Sequence, residues 1–471
     1  MSIVDETSDP VARKREQRGW IWYDFANSVF PTSVITVFGS LYLTAVAGDA
    51  ALADTALNGP TPCVDAAGQA SKLVNCDISL FGMEFAAGSL WGFLLSFATV
   101  VQVLVVPVVG AIADRSSRKR AMLGSFAFGG AAVTMAIGLV AGTNWELGVL
   151  LFVLGNIGYG TSVAIYYSFI PEIATADERD ALSTRGWAFG YLGGGIALGL
   201  QLVLVIFGEN FGVDAGTAAR IAFLTSGIWW AVFTLIPLRA LRDHVPAAAA
   251  EPRQGSVITA GFKELGSTLR DARRFPLTLA FLGTYLIYTD GIASVANLSA
   301  QYGSEELRFE DEVLITTILI VQFVAFIGGV LHGRLARVFG TKRTIMGSLL
   351  VWVVVLCLAY FVQAGQELQF YALAGGIGLV LGGTNALSRS LFSHMIPPGK
   401  QAQYYSIYEV GERATSWLGP LLFAVTASST GSYRYAILSL IAFFVIGFVL
   451  LYFVPVKRAI EAVGNPVPNK L

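Results

Sequence analysis

Charge is scarce in this chain of 471 residues: Asp, Glu, Lys and Arg together make up 13% of it, about half the share of an ordinary soluble domain. So little charge cannot cover a water-facing surface, which excludes a cytosolic enzyme and makes lipid the expected solvent. Excess positive charge is missing as well. The 31 Lys and Arg are offset by 32 Asp and Glu, a net charge of −1, which leaves no basic surface to displace counterions from nucleic-acid phosphates. Cysteine is nearly absent, and three residues without a C-x-x-C spacing exclude a disulfide-scaffolded secreted domain and provide no zinc or redox site. Histidine is as rare, with His244, His332 and His394 scattered along the chain. In the absence of a G-x-S-x-G, a Walker loop or an H-E-x-x-H, nothing assembles a catalytic centre, and neither a cofactor nor a metal is expected. Residues 1–19 lack the short apolar core and small-residue site of a cleaved signal peptide, so none is expected to be removed.

What the chain has is apolar length. Hydrophobic residues make up 55% of it and Gly numbers 51, a composition suited to helices that pack closely in a bilayer. A hydrocarbon core of ~30 Å takes ~20 apolar residues per helix. Twelve such windows are present, near 20–46, 86–112, 121–141, 147–170, 187–208, 219–240, 276–300, 313–335, 344–364, 369–393, 407–428 and 434–455. Lys and Arg gather in cytoplasmic loops. With the N-terminus inside, 27 of them fall on the inner side, and the remaining four are Lys72, Arg220, Arg308 and Arg434. Both termini are therefore expected in the cytoplasm. The longest inner segment holds Pro246, the Ala run 247–250, Pro252 and a basic end at Arg273 and Arg274, the composition of a linker with a membrane-surface helix. The expected organisation is a tail at 1–19, a six-helix bundle at 20–240, a linker at 241–275, a second six-helix bundle at 276–455 and a tail at 456–471.

The two halves resemble each other. Gly110-Ala-Ile-Ala-Asp114-Arg115-Ser-Ser-Arg118-Lys119-Arg120 follows span two, and Gly333-Arg-Leu-Ala-Arg337-Val-Phe-Gly340-Thr-Lys342-Arg343 follows span eight, at an offset of 223. Ile170-Pro171 recurs as Ile396-Pro397 at an offset of 226, and Gly186 and Gly194 recur as Gly411 and Gly419 at 225. Near-equal offsets indicate a duplicated six-helix unit, and an even number of spans per unit makes the two repeats parallel about the membrane normal. The expected fold is an all-α membrane protein of twelve transmembrane helices in two parallel six-helix repeats.

The Gly110-to-Arg120 loop, the twelve spans and the central linker resemble the major facilitator superfamily, with Ser117 in place of the family's usual Gly and Arg337 replacing the Asp in the second copy. Trp22-Tyr23-Asp24-Phe25-Ala26-Asn27-Ser28, Ser388-Arg389-Ser390, and the stretch from Met395 through Tyr404-Tyr405 to Gly419-Pro420 are similar to one branch of it. That branch contains the autophagy-related vacuolar amino-acid effluxers and their bacterial permease relatives. Its usual Phe-Phe-Gly near 404–406 is Tyr-Tyr-Ser here. The resemblance implies that Gly110, Asp114, Arg115 and Arg118 form a gate loop in which Asp114 holds the two bundles together on the cytoplasmic side. For Arg118, Lys119 and Arg120 the positive-inside rule alone is a sufficient reason.

Ionised side chains inside a span cost ~2.5–3.5 kcal/mol each on insertion scales, so those present should face protein or water. Asp24 falls four residues into span one, ~6 Å along it, with Asn27 and Ser28 on the same face and Pro31 able to bend the helix. It either takes part in transport or snorkels to the inner interface. Asp290 falls fourteen residues into span seven, ~21 Å along, beside Tyr285 and Tyr288. It suits proton uptake or binding of a substrate amine, the alternative being a carboxylic acid packed against a tyrosine. Glu409 and Arg413 are spaced for an intrahelical ion pair. That leaves Glu412, for which Arg389 of span ten is the available partner. Glu84 reads as a solvated end residue. Trp187, Tyr191, Tyr159, Tyr166 and Asn385 are possible cavity liners.

A secondary active transporter of a small polar solute is the expectation, working by alternating access without an oligomeric partner. The resemblance implies amino-acid efflux with proton coupling, in a cell membrane rather than a vacuolar one. A sugar or drug permease of the same fold is the alternative, and a polytopic membrane transferase is a more distant one. Cys63 and Cys76, in one outer loop, are expected to form a disulfide closing a loop worth roughly 3 kcal/mol.

Overall fold

The computed structural model describes residues 9–59, 76–80, 82–244, 270 and 273–471. With no water to satisfy backbone groups in hydrocarbon, long apolar segments must close their hydrogen bonds internally as helix. Among the described residues eleven helices are long and apolar enough to cross a membrane. They are α1 (Pro10–Ala53), α2 (Leu90–Arg115), α3 (Lys119–Ile137), α4 (Trp145–Ser168), α5 (Arg179–Phe207), α6 (Ala215–Ala240), α7 (Pro276–Gln301), α8 (Asp311–Phe339), α9 (Thr341–Phe361), α10 (Glu367–His394) and, after a gap in this series, α13 (Tyr433–Phe453). A stripe of Phe93, Phe97, Val100 and Leu104 on α2 is more than half exposed. At spacings of three and four residues it forms one helix face, the face a bilayer would cover.

The window expected at 407–428 is two helices, α11 (Gln401–Thr415) and α12 (Leu418–Thr430). Pro420 explains the break, because proline has no N–H to donate and its ring crowds the carbonyl four residues back, at Ser416. The same rule acts in α1, where Pro31 ends the α-helical ladder at Asn27. Phe30–Gly39 continues as π-helix, and α-helix resumes at Ser40. α1 also starts earlier than its apolar window, at Pro10, where the Asp9 side chain accepts from the Val11 N–H. Asp24 therefore lies fourteen residues into the helix, ~21 Å from its start rather than ~6 Å.

Outside the helices, β1 (Asp77–Leu80) and β2 (Met83–Ala86) form an antiparallel hairpin, with Glu84 exposed opposite Ser79. Cys76, just before β1, is buried and disulfide-bonded, whereas Cys357 is a free thiol. Cys63 lies outside the described residues, as does most of 241–275.

Helices α1–α6 pack on one another, α1 against α5 and α6 and α3 against α4 and α6; in the second set α8 packs on α10, and α9 on α10 and α13. The two sets meet where α2 touches α11 and where α5 touches α8 and α10. One side of the molecule carries the start of α1 with Arg13, Lys14, Arg15 and Arg18, the α2–α3 connection with Arg118, Lys119 and Arg120, the start of α5 with Arg179, and the α8–α9 connection flanked by Arg337, Lys342 and Arg343, and is called here the basic side. The segment after α13 folds back beneath it. α14 (Val456–Ala462) buries Val456, Ala459 and Ile460. Asn465 Nδ2 donates to the carbonyls of His394 and Ile396 at 2.8 Å, and Asn469 donates to Asp177 of the first set from N at 2.8 Å and Nδ2 at 2.6 Å.

Candidate functional site

Asp24 and Arg389 meet at the junction of the two sets, with Arg389 Nη1 and Nη2 at 3.3 and 3.4 Å from Asp24 Oδ2. The Arg389 side chain is wholly buried. Its remaining donors are satisfied by Ser183, Nε to the hydroxyl and Nη2 to the carbonyl, both at 2.8 Å. The guanidinium is ringed by Tyr167, Trp20, Trp187 and Tyr166, whose ring centroids lie 4.5, 5.0, 5.7 and 5.9 Å away. These π faces partly replace lost water around the cation. The Tyr166 hydroxyl donates to Asp24 Oδ2 at 2.9 Å, and its ring stacks on Trp20 at 4.2 Å. Glycine makes the approach possible. A Cβ on Gly186 of α5 would lie 2.5 Å from Asp24 Oδ2, and one on Gly190 would lie 2.7 Å from Ser28 Oγ. Asn27, one turn beyond Asp24, is buried with its amide nitrogen unpaired.

Nearer the basic end, Asp114 of α2 accepts the Ala402 N–H at 2.8 Å on Oδ1 and the Gln403 N–H at 2.9 Å on Oδ2. These are donors that the first turn of α11 cannot satisfy internally, and a carboxylate there also meets the positive end of the helix dipole. Gly110, one turn earlier, lets α11 come close: a Cβ there would sit 2.7 Å from the Ala402 carbonyl oxygen. Ser406 donates to the Val106 carbonyl at 3.2 Å. Arg115 and Arg118 are exposed, and buried Lys119 pairs with Glu172 at 2.5 Å. The second copy closes differently. Arg337, at the position of Asp114, donates to Gly333 O of its own helix at 3.3 Å. The 3-10 turn Ala176–Glu178 that leads into α5 is capped from within its own chain segment by Thr175 and Glu178, and Thr341 of α9 donates to Asp180 of α5. Beside it Arg179 donates to the Ser393 carbonyl at 3.0 Å.

On the other face of the junction, Glu412 accepts from the Tyr285 hydroxyl at 3.1 Å. The Thr289 hydroxyl lies 3.4 Å from both the Tyr285 hydroxyl and the Asn385 amide oxygen, so α11, α7 and α10 are linked by one polar chain. The Tyr288 and Ser388 hydroxyls are 2.6 Å apart. Glu409 and Arg413 form the expected intrahelical pair at 3.5 Å. The expected pairing of Arg389 with Glu412 is corrected: α10 turns Arg389 toward α1 and α5, where Asp24 and Ser183 use its donors. Asp290 stands apart from this group. Its Oδ2 accepts the Gly419 N–H at 2.9 Å, so it caps α12 at the helix break, and its Oδ1 has no partner.

Sequence reasoning missed Ser183, Arg179, Asp180 and Thr341. Arg179 satisfies the positive-inside pattern by itself, and single hydroxyls and one carboxylate beside an apolar run form no motif. The Gly186, Gly190, Gly194 spacing of four was the signal that another helix approaches closely there.

The profile of the family described as "Vacuole effluxer Atg22 like" matches residues 12–464. An uncharacterized MFS-type transporter of Bacillus subtilis, YxiO, is 27% identical over 449 residues, covering 95% of this chain and 96% of its own. The Autophagy-related protein 22 of Kluyveromyces lactis is 25% identical over 482 residues, covering 95% of each. Among solved structures the fold is that of the proton:xylose symporter XylE, with TM-score 0.65 at 14% identity over 94% of this chain and 96% of the other. It is also that of a bacterial homologue of the iron transporter ferroportin in an outward-facing state, with TM-score 0.61 at 13% identity over 94% and 98%. With a matching profile along nearly its whole length and this fold, the chain belongs to the Atg22-like family and is a multi-pass membrane transporter of the major facilitator type.

Proposed function

We propose that the protein exports amino acids by alternating access across a cell membrane, with the basic side in the cytoplasm and an inward proton gradient as the driving force. The observation that carries this reading is the pair of polar locks between the two helix sets, Asp24 with Arg389 and Asp114 with the start of α11. Both lie toward the basic side, so breaking them opens the molecule there and making them closes it. Gly110 and Gly186 sit under the locks, where a larger side chain would press on Ser406 and Ala402 of the other set in the first case and on Asp24 itself in the second. The direction of transport rests on likeness to a family described as effluxers. The bacterial relative of nearly equal length favours a cell membrane, and the distribution of Lys and Arg supports the orientation.

The charge inventory favours an ionic solute over a sugar. Asp24, Glu409 and Glu412 face two guanidiniums, Arg389 and Arg413, at the junction of the sets. A neutral sugar has no need of such a costly arrangement. Asp290, buried with one oxygen unpaired, has the chemistry of a proton carrier.

Proteoliposomes loaded with a mixture of radiolabelled amino acids or with radiolabelled xylose test the reading. Amino-acid efflux that quickens with an imposed proton gradient and collapses with a protonophore is the expected result. Movement of xylose but of no amino acid would overturn it.

A further inference from the structure

Among the described residues Glu412 forms no ion pair within 4 Å, although the charge of Arg413 is within electrostatic reach. Arg413, its neighbour in sequence, is paired with Glu409 at 3.5 Å, and Arg389 is committed to Asp24 and Ser183. Among the described residues Glu412 has one hydrogen bond, from the Tyr285 hydroxyl. A single neutral donor does not balance a carboxylate that is removed from bulk water.

Its surroundings are aromatic and come from both helix sets. The Tyr285 ring stacks on Tyr408 at 4.3 Å and 16°. Tyr408 is 2% exposed, and its hydroxyl faces that of Tyr285 within electrostatic reach of Glu412. Tyr159 of α4 and Tyr191 of α5 lie within electrostatic reach of the same carboxylate. Tyr191 is half-buried, flanked by Trp187 at 5.8 Å and with its ring against Gly382 of α10. Glu412 itself is half-buried, whereas Asp24 and Asp290 are buried. A carboxylate that a solute can reach, walled by π faces and with tyrosine hydroxyls beside it, is the chemistry that holds an ammonium group.

We infer that Glu412, with Tyr285, Tyr408 and Tyr191 around it, binds the ammonium group of the transported solute; this rests on the amino-acid reading above and names the site for it. Binding there joins α11 and α7 of one set to α5 of the other through one small cation. Tyr159 and Tyr191 lie near Asp24 as well, so the site adjoins the Asp24–Arg389 lock, where occupancy can influence opening.

The test uses wild-type and Glu412→Gln protein in proteoliposomes with a mixture of radiolabelled amino acids. The substitution keeps the side-chain volume and an acceptor for Tyr285 while removing the charge. Loss of a charge-assisted bond raises the apparent KM about tenfold or more, and unlabelled N-acetylated amino acids fail to compete with free ones for the wild type. Glu412→Asp, which keeps the charge, retains part of the affinity and separates this effect from misfolding. An unchanged KM in Glu412→Gln, or full competition by the N-acetylated mixture, overturns the assignment. Loss of gradient drive with KM unchanged also overturns it, by making Glu412 a proton carrier. If the wild type moves xylose and no amino acid, the functional reading falls and this site with it.

Discussion

A fully buried guanidinium is tolerated only when its donors and charge are accounted for, and Arg389 meets that condition with one carboxylate, one serine and four aromatic rings. Such a pair is not a strong source of net stability, because both ions lost their water. Breaking it is another matter. Asp24→Asn leaves Arg389 buried without a counter-charge, and is expected to cost about 3–5 kcal/mol in unfolding measurements in detergent. The double variant Asp24→Asn, Arg389→Gln is expected to recover most of that loss. Equal destabilisation of the single and double variants would mean that the two side chains do not act as a pair. Asp24 was readable as unusual because a carboxylate followed by Asn27 and Ser28 stands out in an apolar window. Its partner was not readable. Arg389 lies 365 residues away in sequence, and nothing in its own helix distinguishes a pairing with Asp24 from one with Glu412.

Two prolines set the course of the helices that carry these residues. Pro31 shifts α1 into a π segment beyond Asn27, and Pro420 divides α11 from α12, leaving the Gly419 N–H for Asp290. Helix existence and order were plain from apolar length, since hydrocarbon leaves helix as the one economical backbone. The break at Ser416 was encoded too, in Gly419-Pro420, but a hydropathy window averages over a single missing donor. The early start of α1 was hidden by Arg13, Lys14, Arg15 and Arg18, which are as compatible with a helix standing in water as with a tail. The gate contact of α2 with α11 rests on Asp114 supplying two acceptors to a helix start. Asp114→Ala removes both, and amide exchange at Ala402 and Gln403 in the detergent-solubilised protein is expected to quicken about tenfold or more. Unaltered protection at both amides would show that α11 satisfies its own first turn.

The two helix sets are joined toward the basic side by contacts of unlike design. In one, a carboxylate in the last turn of α2 caps a helix of the opposite set; in the other, Arg337 replaces that carboxylate and Asp180 with Arg179 makes the crossing contacts instead. Asn469 adds a further tie to Asp177. Each of these is a short polar contact that separates without unpacking a core, whereas farther along α5 the sets also pack through apolar contacts such as Phe189 with Phe326 and Gly329 with Ala188. A molecule built this way is expected to move as two bodies, with the basic side as the end that opens. Spin labels at Ser117 and Val338, exposed positions on the basic side of the first and second sets, measure that opening directly by pulsed electron resonance in nanodiscs. The account predicts a single short distance in wild type without solute, and growth of a longer one when transported amino acid is added. Asp24→Asn is predicted to populate the longer distance without solute. One unchanging distance under all three conditions would contradict alternation between these two bodies.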